Sequence, residues 1–137
     1  MKIFPPQKIY ISKSKILKAG RGVFAGKPIK KNEIIEKCLV FVLPKKDYPI
    51  LKKTELRDYY FMWGKTTSAV CFGYGSFYNH SYSSNATYKK NIKEQKIQFV
   101  AIKNIKKGEE IMVNYNYGDP NDKSPLWIKS IKPSNNF

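Results

Sequence analysis

The chain has 137 residues, 42% of them hydrophobic, and carries a formal net charge of +16. That length holds one domain with a modest core, and the apolar fraction excludes a disordered tail. No apolar run approaches the length of a membrane span, and Met1-Lys2-Ile3-Phe4-Pro5-Pro6 lacks a secretory apolar region. An intracellular protein of cytoplasm or nucleus, not secreted and not membrane-bound, is expected.

Gln7 to Lys13 alternates apolar and polar residues as a half-buried strand does. Lys15 to Lys18 leads into the Gly20-Arg21-Gly22 turn, and Val23-Phe24-Ala25 opens another strand. Glu33 to Leu43 is the longest β-rich run and is expected to cross the core, closed by the turn residues of Pro44 to Pro49. Thr54 to Phe61 stays open between a helical turn capped by Thr54 and a strand. Ser68 to Phe72 reads as a short buried strand, and Gly73-Tyr74-Gly75 bends the chain. Thr87–Asn91 and Ile97–Ile102 form a strand pair around a charged turn. Leu126-Trp127-Ile128 is too apolar to stay in water and is expected to fold back onto the domain.

Ala25 to Ile35 and Ala101 to Ile111 share the pattern Ala-x-Lys-x-Ile-Lys-Lys-[Asn/Gly]-Glu-x-Ile. Asn32 and Gly108 fall at the same place, and both residue types tolerate positive φ. Each copy reads as strand, tight turn, strand. Of the 26 basic residues only Arg21 and Arg57 are arginine. Lysine meets phosphate as a point charge, whereas base readout favours the arginine fork. The excess reads either as loose, salt-sensitive attraction to nucleic acid or nucleoprotein, or as lysine spread over a solvated surface. Cys38 and Cys71 lie in apolar runs and are expected as free buried thiols. One histidine and no Cys-x-x-Cys pair argue against a structural zinc.

Three stretches carry candidate chemistry. Gly20-Arg21-Gly22-Val23-Phe24-Ala25 puts two glycines before a strand. Tyr78-Asn79-His80-Ser81 continues through Asn85 to Tyr88 and holds the single histidine between two asparagines six positions apart. Gly108-Glu109-Glu110 opens a short apolar strand that ends in Asn114-Tyr115-Asn116-Tyr117-Gly118. In this order, from about Lys15 to Tyr117, these pieces resemble the SET-domain protein lysine methyltransferases, in a minimal form without zinc. The resemblance implies a mainly β fold, the β-clip of short strands with few short helices and a pseudoknot-like C-terminal crossing. A catalytic domain would span residues 1–118, and a tail of residues 119–137 would pack back on it.

The same resemblance assigns roles. Tyr115 is the tyrosine whose hydroxyl would orient the acceptor amine, with Tyr88 a second channel tyrosine and Tyr117 a further wall. Tyr74 and Phe72 are available for the same channel. The cofactor, S-adenosyl-L-methionine, would lie on Gly20, Arg21 and Gly22. Asn79 would bond its amino-acid end, the His80 backbone its adenine, and Trp127 would cover the ring, while the His80 side chain pins the loop. Ser84 stands where the family usually has Pro, and Val113 where other branches keep an aromatic that sets methyl number. Tyr88 points to monomethylation. The implied partner is a protein or peptide presenting lysine, a histone or another basic protein, and the missing flanking modules leave room for a homodimer. Glu109, Glu110, Asp119 and Asp122 are candidates for an acidic rim that would hold such a peptide. Two other readings stand beside this one: a basic, tyrosine-rich β module that stacks single-stranded nucleic acid, and a SET-like peptide binder without activity.

Overall fold

Alternating runs of β-branched and aromatic residues build nine strands among the described residues, which are 3, 6 and 8–126 of a computed structural model. In chain order the strands are β1 (Ile9–Lys13), β2 (Arg21–Ala25), β3 (Ile34–Leu43), β4 (Tyr60–Trp63) and β5 (Thr67–Cys71). They continue with β6 (Asn79–His80), β7 (Ala86–Asn91), β8 (Lys96–Ala101) and β9 (Glu110–Val113). One sheet has the order β1-β2-β9-β6, the other β4-β5-β3-β8-β7. The mainly β expectation holds. The undecided Thr54 stretch divides: Thr54 Oγ1 accepts from Leu56 N and caps a 3-10 turn at Glu55–Asp58, and the aromatic run after it becomes β4. A single helical turn, α1 (Tyr48–Leu51), follows a 3-10 turn at Lys45–Asp47.

The period-two pattern fixes which face is dry. In β8, Ile97, Phe99 and Ala101 are fully buried while Lys96, Gln98 and Val100 are not. Phe99 stacks on Tyr78 at 4.2 Å, and burying a ring of that size contributes about 2–3 kcal/mol. Cys38 and Cys71 are free and buried, as their apolar runs implied.

Two features bring distant segments together. β6 is only two residues long and pairs in parallel with β9, Asn79 opposite Met112 and His80 opposite Val113. Asn85 then replaces a strand with its side chain: its amide donates to Glu110 O and accepts from Met112 N, both at 2.9 Å. Beyond β9 the chain crosses the same loop. Asn114 Nδ2 donates to Asp122 O, Asn116 Nδ2 to Ser124 O, and Tyr82 Oη to Ser124 O. Leu126 is buried; Trp127 and Ile128, the rest of the apolar tail motif, lie outside the described residues.

Candidate active site

A cavity of about 60 Å³ opens where β4, β7 and the end of β9 converge. Tyr115, Tyr88 and Tyr117 all line it, together with Tyr78, Val113 and the β4 segment. Tyr115 reaches its place through the β6–β9 pairing. Its backbone N–H donates to His80 Nδ1 at 3.0 Å, and its hydroxyl donates to the carbonyl of Tyr78, the residue before Asn79, at 2.7 Å. The Asn-His loop and the tyrosine that ends the last strand therefore meet at one point. Burial pushes the Tyr115 and Tyr88 phenols well above their ordinary pKa, so both stay protonated. Tyr88 is wedged against Phe61 at 5.3 Å and Phe99 at 5.8 Å. Tyr117 is 66% exposed and adopts φ +57°, a left-handed turn that places its ring at the mouth.

Phe72 and Tyr74 are not in this wall. Phe72 follows the last residue of β5 and lies beside Leu39 on the outer face of the five-stranded sheet, 53% exposed. Tyr74 packs on the core. Their places are taken by Tyr59, Tyr60, Phe61 and Met62, contributed by β4 and the residue before it, which the sequence pattern alone did not connect to the site. Lys90 also lines the cavity: its ammonium donates to Met62 O at 2.7 Å and lies 5.2 Å from the Tyr117 ring centre. Desolvation lowers its pKa.

Behind the loop lies a buried polar network. Glu110 accepts from Ser14 Oγ at 2.9 and 2.8 Å, from Lys15 N at 3.0 Å and from Asn79 Nδ2 at 2.9 Å. Asn79 Nδ2 also donates to Arg21 O at 3.0 Å. With both amide hydrogens committed, Asn79 Oδ1 accepts from no protein donor among the described residues and is the group left for an outside donor. Glu110 is thus not part of an acidic rim. It is 6% exposed because β9 carries it inward, against donors up to 96 positions away. Gly22 has the same cause: a Cβ there would stand 2.4 Å from Glu110 Oε2 and 3.1 Å from Asn79 Nδ2. Gly20 is different, with open space around it and φ +76°, a turn conformation glycine adopts without strain. Arg21 is exposed, with its guanidinium 5.9 Å from the Phe77 ring centre.

His80 does what its side chain was expected to do. Nδ1 accepts from Tyr115 N, so the ring proton is on Nε2, which is buried with no partner among the described residues. Burial lowers its pKa from 6.5 to about 4. The neutral form is the folded form, so this stabilisation is complete above pH 6.5 and is lost as pH falls toward 4. His80→Asn keeps an acceptor near the Nδ1 position but cannot titrate. Its urea midpoint, measured beside the wild type, is expected to be flatter over that interval; parallel curves would show that His80 is not the titrating group.

Two sheets, a two-residue strand carrying Asn-His in parallel against the strand before a cavity tyrosine, and a C-terminal segment crossing that loop define the architecture of a SET domain. The SET domain family profile matches residues 20–116, and the chain belongs to that family. Over 97 residues it is 32% identical to the histone-lysine N-methyltransferase, H3 lysine-37 specific, of Schizosaccharomyces pombe, covering 70% of this chain and 66% of that protein. A crystal structure of a candidate histone methyltransferase from Plasmodium falciparum superposes with TM-score 0.66 at 36% identity, covering 81% of this chain and 95% of that one. The polycomb repressive complex 2 of Chaetomium thermophilum, solved in an autoinhibited conformation bound to S-adenosylmethionine, gives TM-score 0.67 at 24% identity over 85% of this chain and 16% of that one. That last likeness carries the fold alone.

Proposed function

We propose that this chain is an S-adenosylmethionine-dependent protein lysine N-methyltransferase whose acceptor lysine enters the cavity between Tyr88, Tyr115 and Tyr117. The observation that carries this is the hydroxyl of Tyr115, held on the Tyr78 carbonyl at the base of an aromatic cavity and one residue from Asn79. Because its proton is committed to Tyr78, what the Tyr115 oxygen offers an incoming amine is acceptor capacity. An amine N–H bonded there has its lone pair turned away from the tyrosine. We assign the cofactor to the other side of the loop. Asn79 Oδ1, which no donor among the described residues uses, suits the α-ammonium of an amino-acid group, and Gly20 offers backbone with open space around it.

When bound, S-adenosylmethionine supplies an electrophilic methyl group on a sulfonium. The chain must deliver a neutral amine to it. A lysine in water has pKa about 10.4, so neutralising it at pH 7 costs roughly 4–5 kcal/mol. The aromatic wall lowers that cost by desolvating the ammonium, and Lys90 supports the point, since burial in the same wall lowers its own pKa. Its positive charge at the mouth also disfavours a second cation inside. Alignment of the neutral amine then accounts for much of the rate. Tyr88, fixed between Phe61 and Phe99, takes up room that a methylated amine would need, which favours a monomethylated product.

A histone in the nucleus is the substrate class we favour, and the likeness to the Schizosaccharomyces pombe histone-lysine methyltransferase supports that reading. The test is transfer of labelled methyl from the cofactor to a panel of histones and unrelated lysine-rich proteins, with mass measurement of the product. Asn79→Ala is expected to raise the cofactor concentration needed for half-maximal labelling at least tenfold, the equivalent of one hydrogen bond to a charged group. Labelling undiminished in that variant would remove the assigned cofactor site.

A further inference from the structure

The two echoing segments pair with each other, and their hydrogen bonds repeat under exchange of the copies. Ile29 N donates to Ile105 O at 2.9 Å and Ile105 N to Ile29 O at 2.7 Å. Asn32 N donates to Ala101 O and Gly108 N to Ala25 O, each at 2.8 Å. Ala101 N reaches Glu33 O at 3.0 Å, Ala25 N reaches Glu109 O at 2.9 Å, and both Glu33 N and Glu109 N close on the lysine three before them at 3.0 Å. Asn32 and Gly108 take φ +73° and +86°. Residues 25–33 and 101–109 thus form a short two-stranded ribbon with a local two-fold axis at the Ile29–Ile105 bridge. Two side-chain bonds lack a counterpart: Lys31 N to Asn104 Oδ1, because Pro28 stands opposite in the other copy, and Lys30 N to Glu33 Oε1.

Both isoleucines point inward, each 1% exposed. The lysines of the pattern are all exposed: Lys27, Lys30 and Lys31 from one copy, Lys103, Lys106 and Lys107 from the other. The ion pairs among the described residues are Lys8–Glu33 and Lys96–Glu94, and neither uses any of these six. A shallow groove of about 350 Å³ runs over the bridge between Lys30 and Lys106.

We infer that this two-fold lysine ribbon is a docking surface for the phosphate backbone of double-stranded DNA. Duplex DNA has local dyads relating its two phosphate rows, so a two-fold set of cations meets both strands in the same way. The ribbon contains no arginine, so it lacks the fork that reads base edges, and no aromatic residue, so it lacks the stacking rings that hold single strands. Sequence-independent, salt-dependent binding remains. The inference stands apart from the methyl-transfer reading, but the two combine. A +16 protein is repelled by a basic substrate at long range, and a duplex carrying that substrate reverses the sign. The ribbon runs directly into β9, the strand that leads to Tyr115, so a duplex docked there lies within ~30 Å of the cavity at the rise of an extended chain.

The test is fluorescence anisotropy of a labelled duplex of about 20 base pairs titrated with the full chain at several salt concentrations. Six phosphate contacts predict a slope of log K against log salt near −5. Lys27/Lys30/Lys31→Ala and Lys103/Lys106/Lys107→Ala are each expected to bring the slope to about −3, by equal amounts. A control, Lys45/Lys46/Lys53→Ala, is expected to leave it unchanged. Thermal melts establish that the variants fold, and labelling of a free histone peptide is expected to persist in both ribbon variants. Equal losses in control and ribbon variants would reduce the charge to a diffuse field and overturn the inference. So would tighter binding of a single-stranded oligonucleotide of the same length, or a loss confined to one of the two triplets.

Discussion

Tyr115→Phe is expected to lower the single-turnover rate of methyl transfer by roughly 10²-fold or more, with cofactor affinity nearly unchanged. The substitution removes one oxygen and little else. The ring stays in the wall, and the backbone N–H still donates to His80 Nδ1, so the end of β9 keeps its place. What is lost is the acceptor that turns the amine toward the methyl group, and misplacement by about an ångström is enough for a loss of that size. The Tyr78 carbonyl also loses its donor, a destabilisation of about 1–3 kcal/mol if nothing replaces it. The rate should therefore be measured well below the melting temperature of the variant, with cofactor binding measured separately by calorimetry. A variant that transfers methyl at the wild-type rate would show that the cavity is not the acceptor channel. A variant that loses cofactor binding in proportion to rate would move Tyr115 from orientation to cofactor support.

How far the sequence carried the fold and site depended on whether the cause was local. β7 and β8 were legible because alternation and a polar turn are properties of adjacent residues, and the pairing of Tyr88 with Phe99 follows from them. The left-handed turns at Asn32 and Gly108 were legible for the same reason. The Asn-His loop and Tyr115 were legible only as a motif; the parallel β6–β9 pairing that unites them leaves no periodic trace in a two-residue strand. Phe72 was misplaced because alternation decides its face: one residue past β5 and next to buried Cys71, it falls on the outer side, away from the cavity. The β4 wall was missed because nothing in Tyr59 to Met62 says which distant strand it will face. Glu110 was misread as exposed because a Gly-Glu-Glu turn reads as solvated, while its donors come from Ser14, Lys15 and Asn79. A second glutamate that opens an apolar strand, with a glycine turn far upstream, is the signal that was available. Its meaning needs the fold.

That buried carboxylate sets the second large effect. Glu110→Gln is expected to weaken cofactor binding by about ten- to a hundredfold, the range of a hydrogen bond to a charged group, with a smaller change in kcat. Every partner of Glu110 is a donor: the Ser14 hydroxyl, the Lys15 N–H and the Asn79 amide. Glutamine offers one acceptor oxygen and one NH₂; Ser14 Oγ, in reach of both positions, can use whichever oxygen remains, so either Asn79 Nδ2 or Lys15 N must face a donor in a buried site. Turning the Asn79 amide to relieve the clash would point its NH₂, rather than Oδ1, at the ammonium it is proposed to accept. Gly22→Ala reaches the same end from the other side, since its Cβ at 2.4 Å from Oε2 must displace the carboxylate. The double variant separates two causes for that glycine. If Gly22 is needed to make room for Glu110, the losses overlap and the pair is much less damaging than the sum. If Gly22 is needed chiefly so that the backbone can approach the cofactor, the losses add. Wild-type cofactor affinity in Glu110→Gln would overturn the coupling itself and leave Asn79 positioned by the β6–β9 pairing alone.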